Sequence, residues 1–554
     1  MPVVKHTKPL SDLLLEQGTL TREQVHSAQA EAAKTGVPLK RVLLQKGWMT
    51  EQDLTALIAS QSGVTHVDLG SHLIKPEVVQ LVPESLARKH TIMPLFKIGD
   101  SLTVAMDDPL NFFALDELRL KTKCEIKAVV ASESGIRQAI EQYYGATGTI
   151  AEVAQAIQEA ALPKNEEDAA AEAPVIRLVN LLIMQAVKER ASDIHIEPGD
   201  GVLRTRFRID GVLREVNGPP AHLHGAVVSR IKVLSKLDIA EKRKPQDGRF
   251  RLTMEGSEID LRVSTVPTQF GEKAVLRLLD SANARLSLEQ LGLDETTRRQ
   301  VERVIRAPHG IFLVTGPTGS GKTTTLYAGL HLINSVERNI ITIEDPVEYR
   351  LPGVNQVQVN PKADVTFASA LRSFLRQDPD VIMVGEVRDR ETAEISIQAA
   401  LTGHLVFSTL HTNDAPSSLT RLIDMDIEPF LVASSVSGIL AQRLVRVICS
   451  KCKEPYQPTA NLAGELQLPE GGTLFRGKGC ATCKQTGYKG RIGIFELLPM
   501  TETIKDLIVS RSPAHAIRDA GRKAGMRTLR EDGVAKIRAG VTTVEEVLRA
   551  TKLD

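Results

Sequence analysis

The residues best suited to chemistry stand at 316 to 323, Gly316-Pro-Thr-Gly-Ser-Gly-Lys-Thr. They follow the apolar run Ile311 to Thr315 and precede a helical pattern that opens at Thr324. In that strand–loop–helix context a G-x-x-x-x-G-K-[ST] segment cradles phosphate. The glycines let successive N–H groups turn inward, and the helix dipole adds positive potential at the same spot. Gly316, Pro317, Thr318, Gly319, Ser320, Gly321, Lys322, Thr323 and Thr324 are therefore the nucleotide-binding candidates. Lys322 is placed to reach the β- and γ-phosphates, and the Thr323 hydroxyl to sit on Mg²⁺.

Carboxylates and histidines recur at the ends of later apolar runs. Asn339 to Glu344 reads as a buried strand ending in Glu344, Asp345 and Glu348, with Pro346 stopping the strand. Open parallel sheets bind ligands at such C-terminal strand ends. Val381-Ile-Met-Val leads into Gly385-Glu386, an apolar run with a terminal acid that fits a Walker B element and shares Mg²⁺ with Thr323. His404 and His411 bracket a third strand, and His411 is the candidate sensor of the γ-phosphate.

Cys449-Ser-Lys-Cys452 and Cys480-Ala-Thr-Cys483 form two knuckles 27 residues apart. Four thiolates match a closed tetrahedral Zn²⁺ site, which leaves no open position for chemistry. The fifth cysteine, Cys124, stands alone and reads as packing.

These sites need several domains to hold them, and 554 residues suffice for three or four. Residues 1–62 hold a near-repeat with an offset of 29, Pro9 to Gly18 and Pro38 to Gly47, each copy followed by a helix capped by Thr21 or Thr50. Residues 63–145 read as a small α/β module, 146–174 as a linker, and 175–285 as an α/β domain with several strands. Residues 286–554 form the P-loop domain, with the cysteine insertion at about 449–483 and helices at the end. In 175–285, Arg204, Arg206 and Arg208 share one face of a strand, with Arg249, Arg262 and Arg277 in or near others. Arg suits bidentate phosphate contact, so the set reads as a basic surface able to complete a neighbouring subunit's site.

A net charge of +1 and the lack of a basic aromatic tract argue against nucleic acid as a partner. No run approaches the apolar length of a membrane span, and no secretory signal is read, so a cytoplasmic protein is expected.

The P-loop, Ile341-Thr-Ile-Glu-Asp-Pro-Val-Glu-Tyr, the stretch Leu375 to Asp389 and the stretch Leu401 to Asn413 occur in this order. Together they closely resemble the type II secretion and type IV pilus assembly ATPases. The resemblance implies a RecA-like α/β ATPase domain preceded by a PAS-like domain, with a helical plus α/β amino-terminal extension. It implies ATP hydrolysis with Mg²⁺, structural Zn²⁺, a homo-hexamer, and an inner-membrane platform protein as the link to the membrane face. It assigns Glu348 to orienting the attacking water, Glu386 to Walker B, Glu344, Asp345 and Glu348 to an acidic box, and His404 and His411 to a histidine box. The cysteine insertion places the resemblance on the extension or secretion branch. In some relatives an amino-terminal tandem binds cyclic di-GMP, but here Pro9 and Pro38 replace its Arg, and Ser11 and Lys40 its Gly. No tight cyclic di-GMP binding is expected. The competing expectations are a nucleotide-dependent interaction switch without productive cycling, and a nucleic-acid motor.

Overall fold

The computed structural model describes residues 14–15, 19–37, 39–144, 173–280, 286–459, 462, 464 and 472–551. Pro9, Ser11, Pro38 and nearly all of the expected linker lie outside them; at its end Ala173 and Pro174 open the helix Ala173–Lys188. The chain divides into two compact units, 1–279 and 280–554.

In the first unit, helices Arg22–Thr35 and Glu51–Ser62 begin at Thr21 and Thr50, each closing a capping box with Gln24 or Asp53 three residues on. The side chain of Lys40 is engaged by Asp107, Arg41 bonds Glu133 at 2.7 Å, and Ser134 donates to Glu51. The helices Leu39–Gln45 and Glu51–Ser62 thereby join a three-stranded module, Ile92–Ile98, Ser101–Met106 and Glu125–Val130. Cys124 is buried in that module's core.

The module also lends the short strand His72–Leu73 to a seven-stranded sheet built otherwise from residues 191–280. The strand Leu203–Ile209 alternates, with Thr205, Phe207 and Ile209 buried and Arg206 and Arg208 turned to the other face. Period-two alternation of this kind lets one face carry charge while the other builds the core.

In the second unit a seven-stranded sheet runs in the order Asn355–Gln358, Ile340–Glu344, Val381–Val384, Leu405–Leu410, Gly310–Thr315, Val436–Ile448, Tyr488–Pro499. All pairings are parallel except the last. Ile311 and Leu313 point into one core and Phe312 and Val314 into the other. That explains why these strands read as continuous apolar runs: both faces of the sheet are covered. Because the strands are parallel, Thr315, Glu344, Val384 and Leu410 end at one edge, and the loops after them meet there.

Candidate active site

The P-loop begins where the strand Gly310–Thr315 ends and closes at the helix Lys322–Ile333. Gly319 and Gly321 adopt φ 79° and 90°. At Gly316 a Cβ would stand 2.5 Å from the Gln442 carbonyl oxygen and 2.6 Å from Ser320 Oγ, so only glycine fits. Lys322 Nζ donates to the Gly316 and Pro317 carbonyls at 2.8 and 3.2 Å, laying its charge across the loop. Burial is the main cause that brings the Lys322 ammonium down to about 8; the Glu386 charge opposes the shift and the Arg443 charge adds to it. A half-buried cation over a glycine cradle fits the phosphates of a nucleotide.

Glu386 follows the strand Val381–Val384, and its two oxygens have different partners. Arg388 approaches Oε1 at 2.6 Å and His411 Nε2 approaches Oε2 at 3.2 Å. Asp345 lies close enough to Arg388 to add to its charge stabilisation. Thus Lys322, Asp345, Glu386, Arg388 and His411 converge on one edge of the sheet. Of the oxygen ligands expected for Mg²⁺, Glu386 lies at this edge and Thr323 stands in the first turn of the helix after the P-loop.

Two of the expected site residues are engaged by other partners. His404 belongs to the other end of its strand, since Leu405 pairs with Gly310 and Leu410 with Thr315. Its Nδ1 lies 2.9 Å from the Ala399 carbonyl and 3.2 Å from Thr402 Oγ1, so it closes a helix terminus rather than meeting the P-loop. Glu344, the last residue of its strand, is buried and points inward. It accepts hydrogen bonds from Tyr327, from Thr342 Oγ1 at 2.6 Å and from Gln356 Nε2 at 3.1 Å. Burial raises its pKa, outweighing those donors, and the neighbouring Glu348 charge adds to the rise. Among the acids of this loop, Glu348 and Asp345 remain for the site.

The arginine face of the first unit is less basic than its sequence reads. Arg206 grips Glu197 with contacts of 2.9 and 2.7 Å, joined by Lys273 at 2.9 Å. Burial would raise the Glu197 carboxyl, yet the bonds from Arg206 and Lys273 hold it at about 2. Arg277 and Arg208 approach the buried Asp193 at 3.0 and 3.5 Å. Arg249 and Arg262 stand directly opposite each other on adjacent strands.

Several supports had no motif to announce them. Gln442 is buried in the strand Val436–Ile448, where its Nε2 donates to the Ser320 carbonyl at 2.7 Å and its Oε1 accepts from Thr325 at 2.7 Å. It clamps both ends of the P-loop's last turn. Arg443 reaches the Asn413 carbonyl at 2.8 Å. Thr315 and Thr412 share a 2.6 Å contact that ties the P-loop strand to the loop after His411. Two polar residues, Gln442 and Arg443, inside an apolar run were the one available signal.

The four cysteines meet as anticipated. Their sulfurs all lie within 4.8 Å of one another, with separations of 3.9 Å for Cys449–Cys480 and 3.7 Å for Cys452–Cys483 and Cys480–Cys483. Tetrahedral Zn²⁺ with Zn–S near 2.3 Å needs sulfurs about 3.8 Å apart, so the donor set and its spacing fit zinc. The Gly487 amide donates to Cys483 Sγ at 3.3 Å, a bond that favours thiolate.

Comparison with known proteins covers the same ground. A family model described as type II/IV secretion system protein matches residues 168–549. A second, the MshEN domain, matches residues 62–150 and so falls on the α/β module. The chain is 45% identical to the type IV pilus assembly ATPase PilB of Myxococcus xanthus, over 98% of this chain and 99% of that protein. It is also 45% identical to the type II secretion system protein E of Xanthomonas campestris, over 98% of each. Among solved structures, the Yersinia pseudotuberculosis ATPase DotB is 21% identical and covers 68% of this chain and 94% of its own, with a TM-score of 0.52. That likeness speaks for the fold alone.

Proposed function

The chain belongs to the type II/IV secretion system protein family, and from that premise we propose that it is a motor ATPase driving assembly of pilin or pseudopilin filaments. The observation that carries the proposal is the convergence on the P-loop edge of a half-buried Lys322, the Glu386 carboxylate and His411. A nucleotide-binding switch would need the lysine and its loop; hydrolysis also needs acids at the γ-phosphate end.

In this reading the P-loop amides and Lys322 hold the β- and γ-phosphates, and Glu348 orients a water for in-line attack on the γ-phosphorus. The bond to the β-phosphate oxygen breaks, giving ADP and inorganic phosphate. Mg²⁺, held by Thr323 and Glu386, would supply charge neutralisation on the phosphates. The chain's own share is positioning and preorganised charge. Arg206, Arg208, Arg249, Arg262 and Arg277 would approach the site across subunits of a homo-hexamer, and nucleotide-driven movement would pass to an inner-membrane platform protein. Among the described residues no helix is long and apolar enough to cross a membrane. In this reading the protein works at the cytoplasmic face through that partner.

Steady-state phosphate release from Mg-ATP tests the proposal. Multiple turnovers that Lys322→Ala abolishes and duplex or single-stranded DNA leaves unchanged support a protein-assembly motor. Binding without turnover would indicate a switch, and strong DNA stimulation a nucleic-acid motor.

A further inference from the structure

Tyr327 lies on the P-loop helix one turn after Thr323, so the two side chains share a helix face. It is fully buried, though a tyrosine that filled only a hydrophobic core would leave its hydroxyl without partners. Here the hydroxyl donates to Glu344 and receives a hydrogen bond from the backbone of Glu348. Its ring meets Tyr349 edge-on, with centroids 4.5 Å apart and planes at 88°.

Gln356, from the edge strand Asn355–Gln358, closes the arrangement. Its Nε2 lies 3.1 Å from Glu344 Oε1, 3.1 Å from the Tyr349 carbonyl and 3.4 Å from the Tyr327 hydroxyl. Its Oε1 accepts from the Leu351 amide at 2.7 Å. The chain before Glu348, Glu348 itself and the chain after it are thus fastened to one buried cluster, and one member of that cluster stands on the phosphate-binding helix.

We propose that Tyr327 is a positioning residue for ATP hydrolysis, the buried link through which the phosphate-binding helix fixes the placement of Glu348. The proposal rests on the reading of Glu348 as the group that orients water. A buried polar network that is fully satisfied is rigid, and one that loses a member frees the rest. Burial foremost, then the Glu344 charge, keeps the phenol far above its ordinary pKa, so it stays a donor toward Glu344 at any working pH. The water-orienting carboxylate and the phosphate cradle then move as one body.

Tyr327→Phe keeps the ring and its contact with Tyr349 and removes only the hydroxyl. The expected result is a fall in kcat of about tenfold to a hundredfold, the scale for a small misplacement of a reacting group, with the ATP KM within about twofold of wild type. Gln356→Met should give the same split and is the second variant should Tyr327→Phe fold poorly. The sharper readout is a double-mutant cycle under single-turnover conditions. In the Glu348→Gln background, Tyr327→Phe should cost less than about twofold further, because it acts through a residue already disabled. Full kcat in the folded single variants, or a loss that adds to that of Glu348→Gln, overturns the proposal. Wild-type turnover in Glu348→Gln instead overturns the underlying role of Glu348, and the proposal with it.

Discussion

Glu386 and His411 face each other at 3.2 Å across the ends of adjacent strands, while Arg388 closes on the other oxygen of the same carboxylate at 2.6 Å. The acid best placed for a divalent cation is thus held by two side chains of the protein itself. Glu386→Gln keeps the shape and removes the charge. It should lower kcat at least about a hundredfold, the range seen when one preorganised electrostatic group is lost. His411→Ala should have a smaller effect, near tenfold by the same reasoning. Phosphate-release kinetics at saturating ATP check both.

The half-buried position of Lys322 should make nucleotide affinity depend on pH. With a pKa of about 8 the free protein carries a charged lysine at pH 7 and a mostly neutral one at pH 9. If only the ammonium form binds phosphate, affinity should weaken about tenfold between those values. The sign follows from the group being a cation: raising pH removes the charge that the phosphates need. Lys322→Arg stays charged throughout, so its affinity should not follow this course. Equilibrium titration with a fluorescent ATP analogue at the two pH values measures it.

Gln442 spans the last turn of the P-loop from far along the chain, bonding Ser320 across 122 positions and Thr325 across 117. Gln442→Leu would leave a buried carbonyl and a buried hydroxyl without these partners, each costing about 1–3 kcal/mol. The variant should melt earlier and bind ATP more weakly, while keeping residual turnover because no group at the phosphates is lost. Thermal unfolding with and without ATP separates the two effects.

The P-loop, the acids after each strand and the cysteine pairs were legible because each is a local pattern whose chemistry demands fixed spacing. So were the helix starts at Thr21 and Thr50. What stayed hidden depends on strand pairing. Arg206 and Arg208 read as free cations until the neighbouring strand places Glu197 and Asp193 beside them. Tyr327 carries no signal within the helical pattern that opens at Thr324, since the carboxylate it meets follows 17 residues later at the end of the strand Ile340–Glu344. The resemblance already singled out Glu348 from the acidic box, but the inward anchoring of Glu344 shows only in its burial and its bond from Thr342. His404 and His411 already stood at opposite strand ends, so grouping them as one site gave family likeness more weight than strand polarity.

The cysteine cluster makes a separate claim. The purified protein should contain one zinc per chain, and Cys480→Ser should lose most of it. Since metal ligation and folding of such a loop are coupled, the variant should melt lower by about 5 °C or more. Metal analysis by mass spectrometry together with calorimetry checks this. Zinc content unchanged by the substitution would remove the ligand assignment.

The central claim is that this chain hydrolyses ATP with Glu348 acting on the water. The most direct measurement is phosphate release from Mg-ATP by the 554-residue chain and its Glu348→Gln variant, with ATP binding measured on the same samples. Sustained turnover by the wild type, a loss of at least about a hundredfold in the variant, and equal nucleotide affinity are the predicted result, since a group acting only in the transition state changes kcat and not binding. Equal turnover by the two proteins, or none by either with ATP bound, would contradict it.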